Sequence, residues 1–97
     1  MKIRSLKRKL LKEFLTAVER DDILLVSELI HSRYLDITGN NNQAVEYAAY
    51  HGKVEMLELL LDTGEIDPGY GNNRLMDLAY QNGYYEAIEV IKSRIIT

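Results

Sequence analysis

Two histidines and a row of acids are the residues of this chain whose types and spacing suit chemistry. His51 stands in "AAYHGKVE", beside a glycine and among tyrosines and glutamates. A general base needs a hydrogen-bonded partner and a pKa matched to its task. His31 falls at the end of a different predicted helix, and no Ser or Cys nucleophile motif surrounds either histidine. Glu55, Glu58 and Asp62 lie at i, i+3 and i+7, a stripe that offers three carboxylates to a cation. Metal sites gather ligands from a converging loop or several helices, whereas this spacing is also the solvated face of an outer helix. "GYGNN" lacks a Lys and a strand-to-helix setting, so it reads as a turn and not as a phosphate loop. No catalytic, cofactor or metal residue is assigned, and no small-molecule substrate is expected.

The remaining chemistry is charge. Lys2, Arg4, Lys7, Arg8, Lys9 and Lys12 all precede the first acid, Glu13, although the whole chain of 97 residues carries −3. A basic N-terminal arm on an acidic body suits contact with nucleic-acid phosphates or an anionic membrane surface. Lys and Arg on the outer face of an end helix also keep such an end soluble. There is no cysteine, which removes disulfides and thiolate chemistry. No apolar run approaches the ~18 residues of a membrane span, and no signal-peptide core follows the N-terminal lysines, so a cytoplasmic or nuclear location is expected.

The elements that must position these residues emerge when the sequence is slid against itself. At an offset of 31, Asn41-Asn42 falls on Asn72-Asn73, Ala48 on Ala79, Gly52 on Gly83, and Glu55 and Glu58 on Glu86 and Glu89. One further step back sets Ala17 under Ala48, with Asp21 at the glycine position. His51 aligns with Arg20 and Asn82, which marks it as a variable corner. Each copy reads as two helices. Ala44, Val45, Ala48 and Ala49 form a small-residue face, Val54, Leu57, Leu60 and Leu61 a larger one, and Gly52 closes the first helix in a left-handed conformation. Asn41 or Asn42, and Asn72 or Asn73, are the expected N-caps. The predicted fold is all-α, a helical solenoid of three helix-turn-helix units at about 5–35, 36–66 and 67–97, forming one domain. Ile3, Leu6, Leu10, Phe14 and Ala17 step by three or four, which predicts an extended basic first helix over 2–19 that covers the core with one face. Lys92 at the Leu61 position favours a C-terminal cap and a complete stack. Ile95 and Ile96 have no assigned place, and would either fold back or meet another chain.

"NNQAVEYAAYHGKVEMLELLLDTGEID" resembles an ankyrin repeat: Ala48-Ala49 match the alanine pair, Gly52-Lys53 the Gly-His, Leu60-Leu61 the leucine pair, and Gly64 to Asp67 the loop motif. The resemblance covers about residues 13 to 94. It departs where Gln43-Ala44-Val45-Glu46 and Arg74-Leu75-Met76-Asp77 replace Thr-Pro-Leu-His, and its period is 31 where ankyrin repeats use about 33. The shortened loop implies a stunted hairpin finger. Asn-Asn-x-Ala-Val openings with short loops are similar to the divergent ankyrin repeats of large DNA viruses, which implies a viral protein acting in a host cell on a host factor. The family implies non-enzymatic protein binding on the concave side, through Gly39, Asn40, Tyr50 and His51 of the middle copy and Tyr70, Gly71, Gln81 and Asn82 of the third. Tyr50 and Tyr70 are the expected anchors, since Tyr offers contact area at low entropy cost. The alternative is a nucleic-acid or anionic-membrane adaptor using the basic arm.

Overall fold

The computed structural model describes residues 2–95. The first helix, α1 (Lys2–Glu19), is 18 residues long, about 27 Å at the usual rise. Five helices follow: α2 (Ile23–Leu29), α3 (Gly39–Tyr50), α4 (Val54–Leu61), α5 (Tyr70–Gln81) and α6 (Tyr85–Ile95), with no strand among the described residues. The third segment of sequence runs to residue 97, and its last residue pair, Ile96 included, lies outside the described residues.

Each odd helix packs against the even helix that follows it. α1, α3 and α5 also lie side by side, as do α2, α4 and α6, which makes two layers with the core between them. Phe14, Val18, Val26, Ile37, Val45, Met56, Leu57, Leu60, Leu75, Ile88 and Ile91 fill that space, and among the described residues no polar or charged side chain is buried. Small residues on α3 and α5, with Ala44, Ala48, Ala49 and Ala79 fully buried, let neighbouring helices approach closely.

The reversals within the pairs share one backbone solution. Asp22 N–H donates to Ala17 O at 2.9 Å, Lys53 N–H to Ala48 O at 2.8 Å, and Tyr84 N–H to Ala79 O at 3.1 Å. The residue before each donor is left-handed: Asp21, Gly52 and Gly83 have φ of 56°, 65° and 71°. These are Schellman closures, in which the turn satisfies carbonyls that the helix end would leave unpaired. The three alanines that accept are buried, so each corner is anchored to the core. Asp21 holds without glycine because Asp is among the few side chains that tolerate this region.

The connections between pairs also match. Asp36 Oδ1 accepts from Thr38 N at 3.0 Å, and Asp67 Oδ1 from Gly69 N at 2.9 Å. Leu35 and Ile66 pin the two connections to the core. A left-handed turn then opens each of α3 and α5, at Asn40-Asn41-Asn42 and at Gly71-Asn72-Asn73. Here the structure departs from the expected role of the asparagines. The N-cap positions are Thr38 and Gly69, and neither helix has a side-chain cap bond. The Asn pairs are used for their tolerance of positive φ, not for their amide oxygens.

At its N-terminal end α1 does not cover the core as expected. Phe14 and Ala17 are buried and Leu10 half-buried, but Ile3 and Leu6 stay 54% and 40% exposed because the helix overhangs the body. At the other end Ile95 packs against the core.

The glycine corners give a discriminating test. A Cβ on Gly52 would come within 2.4 Å of the Tyr84 ring, whereas one on Gly83 meets nothing within 4 Å. Gly83→Ala should therefore cost only the left-handed penalty, about 1 kcal/mol, and Gly52→Ala a further ~1–3 kcal/mol from overpacking. Thermal denaturation followed by circular dichroism checks the order; equal losses would show that Tyr84 yields freely.

Candidate functional site

α3 places Tyr47, Tyr50 and His51 on one face, at i, i+3 and i+4, so their rings meet. The Tyr47 and His51 centroids are 4.2 Å apart and tilted, and Tyr50 meets His51 edge-on at 5.1 Å. With Asn40, Asn41, Gln43, Glu46 and, from α5, Leu78, these residues line an open groove of about 360 Å³. Of the residues named from the sequence, Asn40, Tyr50 and His51 line this groove together. Tyr50 is 45% exposed, enough ring for a partner to cover.

Glu46 is the acid of this groove, and its Oε2 is already engaged. It accepts from the Tyr70 hydroxyl and, at 2.7 Å, from Arg74 Nε. Burial opposes ionisation of Glu46, but the hydrogen bonds from Arg74 and Tyr70 and the Arg74 charge prevail, so its pKa lies below the usual 4.5. Burial and the Glu46 carboxylate push the Tyr70 phenol upward, beyond the ordinary tyrosine range. Tyr70, expected as a partner anchor, is half-buried and spends its hydroxyl holding α5 to α3. Gly71 is exposed within the left-handed turn, and Gln81 and Asn82 are exposed at the end of α5, where the Asn82 amide donates to Leu78 O. These residues do not line the groove.

Gly39 belongs to a second groove. It lines a cleft of about 570 Å³ with Arg4, Lys7, Arg8, Leu11, Arg33, Tyr34, Leu35 and Asp36. Arg33 lies 5.3 Å from the Tyr34 ring centroid and donates to its hydroxyl. Lys9 and Lys12 instead face a different cleft with Glu13, Arg20 and Asp22, and Lys2 is exposed nearer the helix start. The basic arm is thereby divided between faces of α1.

Glu55, Glu58 and Asp62 are exposed, and Asp62 Oδ1 pairs with Arg94 at 2.7 Å. Among the described residues no group of three His, Asp or Glu side chains gathers where it would hold a metal ion, and no helix is long and apolar enough to cross a membrane. Sequence reading missed Tyr47, Gln43 and Glu46 in the aromatic groove, though the 47/50/51 spacing signals Tyr47. It had no signal for Arg33, which joins the basic cleft only through the fold. Compared with family models, with curated proteins and with solved structures, the chain matches none of them.

The Glu46 network carries a pH prediction. A carboxylate whose pKa is lowered on folding contributes stability that is present above its unfolded value and lost as pH falls through the folded one. Glu46→Gln should therefore flatten the loss of stability below about pH 4.5, measured by urea unfolding across that range. Tyr70→Phe, tested at pH 7, should cost about 1 kcal/mol; no change would mean the phenol hydrogen bond is replaced by water at no cost.

Proposed function

We propose that the chain is a short solenoid of three ankyrin-like helix pairs that binds a partner protein, without chemistry, on the aromatic groove of α3. The observation that carries this reading is the Tyr47-His51-Tyr50 cluster, presented on a helix whose backbone is fixed at both ends. The left-handed turn sets its start, the Schellman corner sets its end, and the Glu46 network ties it to α5. A rigid aromatic platform loses little entropy on binding, which is what a contact surface needs. The recurrence of the same corner, Asx turn and left-handed turn at 31-residue intervals supports the solenoid reading. Asn40, Gln43 and Asn41 supply amides that would satisfy a partner's backbone at the rim. If the viral resemblance holds, the partner is a host-cell protein.

His51 serves here as a contact residue. Among the described residues no Ser or Cys lines its groove, and the one acid there is held by Tyr70 and Arg74.

Affinity capture from host-cell lysate, with wild type beside Tyr50→Ala, tests the reading. Tyr50 is exposed, so the variant should melt like wild type while losing a captured partner by a factor of ten or more, about 1.4 kcal/mol or above. A partner held equally by both proteins would sink the assignment of this groove.

A further inference from the structure

The overhang of α1 has a composition that the body does not use. Every residue from Lys2 to Lys9 is exposed, and no acid precedes Glu13. The stripe that buries Phe14 and Ala17 continues outward into solvent as Leu6 and Ile3. At 3.6 residues per turn, cations border this exposed stretch on both sides, Arg4 and Lys7 on one and Lys2 and Lys9 on the other. Lysine and arginine stems in such positions lie along hydrocarbon while their heads reach a polar layer.

The adjacent cleft adds to this charge. Arg4, Lys7, Arg8 and Arg33 line it together, and none of the four pairs with an acid among the described residues. Asp36, the one carboxylate that lines it among the described residues, has Oδ1 occupied by the Thr38 backbone and hydroxyl.

We propose that α1 docks the protein on an anionic membrane surface. Ile3 and Leu6 enter the boundary between headgroups and acyl chains, the flanking Lys2, Arg4, Lys7 and Lys9 meet lipid phosphate and carboxylate groups, and Arg8 and Arg33 add to the attraction at longer range. Charge complementarity fixes the class of surface, and the exposed isoleucine and leucine decide between polyanions. Nucleic-acid phosphates would satisfy the cations but leave both apolar side chains in water. Base stacking would also need a presented ring, and the cleft's Tyr34 is half-buried with Arg33 against it. From Leu10 onward α1 is packed on the body, so the surface engages the overhang alone, where the same stripe is free of the core at Leu6 and Ile3.

Co-sedimentation of the full chain with phosphatidylcholine vesicles, with and without phosphatidylserine, tests the proposal. Wild type should bind only the mixed vesicles, less so as salt rises. Arg4→Gln/Lys7→Gln/Lys9→Gln should bind them about a hundredfold more weakly, and the loop variant Arg33→Gln less than about fivefold more weakly. Ile3→Ser/Leu6→Ser, altering exposed positions, should keep the wild-type melting curve and lose about tenfold in binding. The proposal is overturned if wild type ignores the mixed vesicles. It is equally overturned if Ile3→Ser/Leu6→Ser binds them like wild type, or if a single-stranded oligonucleotide is bound and the vesicles are not.

Discussion

The left-handed corner is the constraint on which the rest of this structure depends. The two helices of each pair lie side by side because the chain reverses within a few residues, and the reversal must satisfy the carbonyls at the end of the first helix. Asp21, Gly52 and Gly83 provide that conformation, and the buried alanines that accept the closing hydrogen bonds lock each corner to the core. Once the corners are fixed, the direction of every even helix relative to its odd partner follows. Tyr84 leaning over Gly52 then couples one corner to the next, so the pairs meet through a close contact as well as through apolar packing.

A second constraint acts at the opposite end of the pairs. The connections descend from α2 and α4 through a buried Leu35 or Ile66, turn at an Asp, and enter the next helix through three left-handed residues. That entry replaces a conventional side-chain cap. It requires residues that accept positive φ, and Asn or Gly stands at each such position. The asparagine-rich openings are therefore conformational in origin, and the groove above α3 inherits its amide rim from them.

Polar chemistry in this molecule is concentrated between elements and not within the core. Glu46, Tyr70 and Arg74 join α3 to α5, and Asp62 and Arg94 join α4 to α6. Exposed ion pairs contribute little individually. Their positions nonetheless bear on the proposed groove, because the first of them engages Glu46 and Tyr70 and leaves Tyr50 as the exposed ring of α3 beside it. The proposed protein-binding groove and the proposed membrane-facing helix occupy different parts of the molecule, so one could anchor the chain while the other engages a partner.

The 31-residue self-similarity determined the helices, the corners at Asp21, Gly52 and Gly83, and the exposed acidic stripe, because these follow from local periodicity and from which residues tolerate positive φ. The expected extent of the basic helix, 2–19, agrees with α1 for the same reason. Side-chain fate was legible only where one helix face settles it, as with Tyr50 and His51. Tyr70 could not be assigned from sequence, since its partner Glu46 lies 24 residues away and no local pattern records that bond. Ile3 and Leu6 continued a core stripe in the sequence, yet the body ends before them. Arg33 likewise joined Arg4, Lys7 and Arg8 only when the connection after α2 folded against α1. Local backbone preference is written along the chain, whereas burial and charge clustering depend on which distant segments arrive beside one another, and that was decided by tertiary structure.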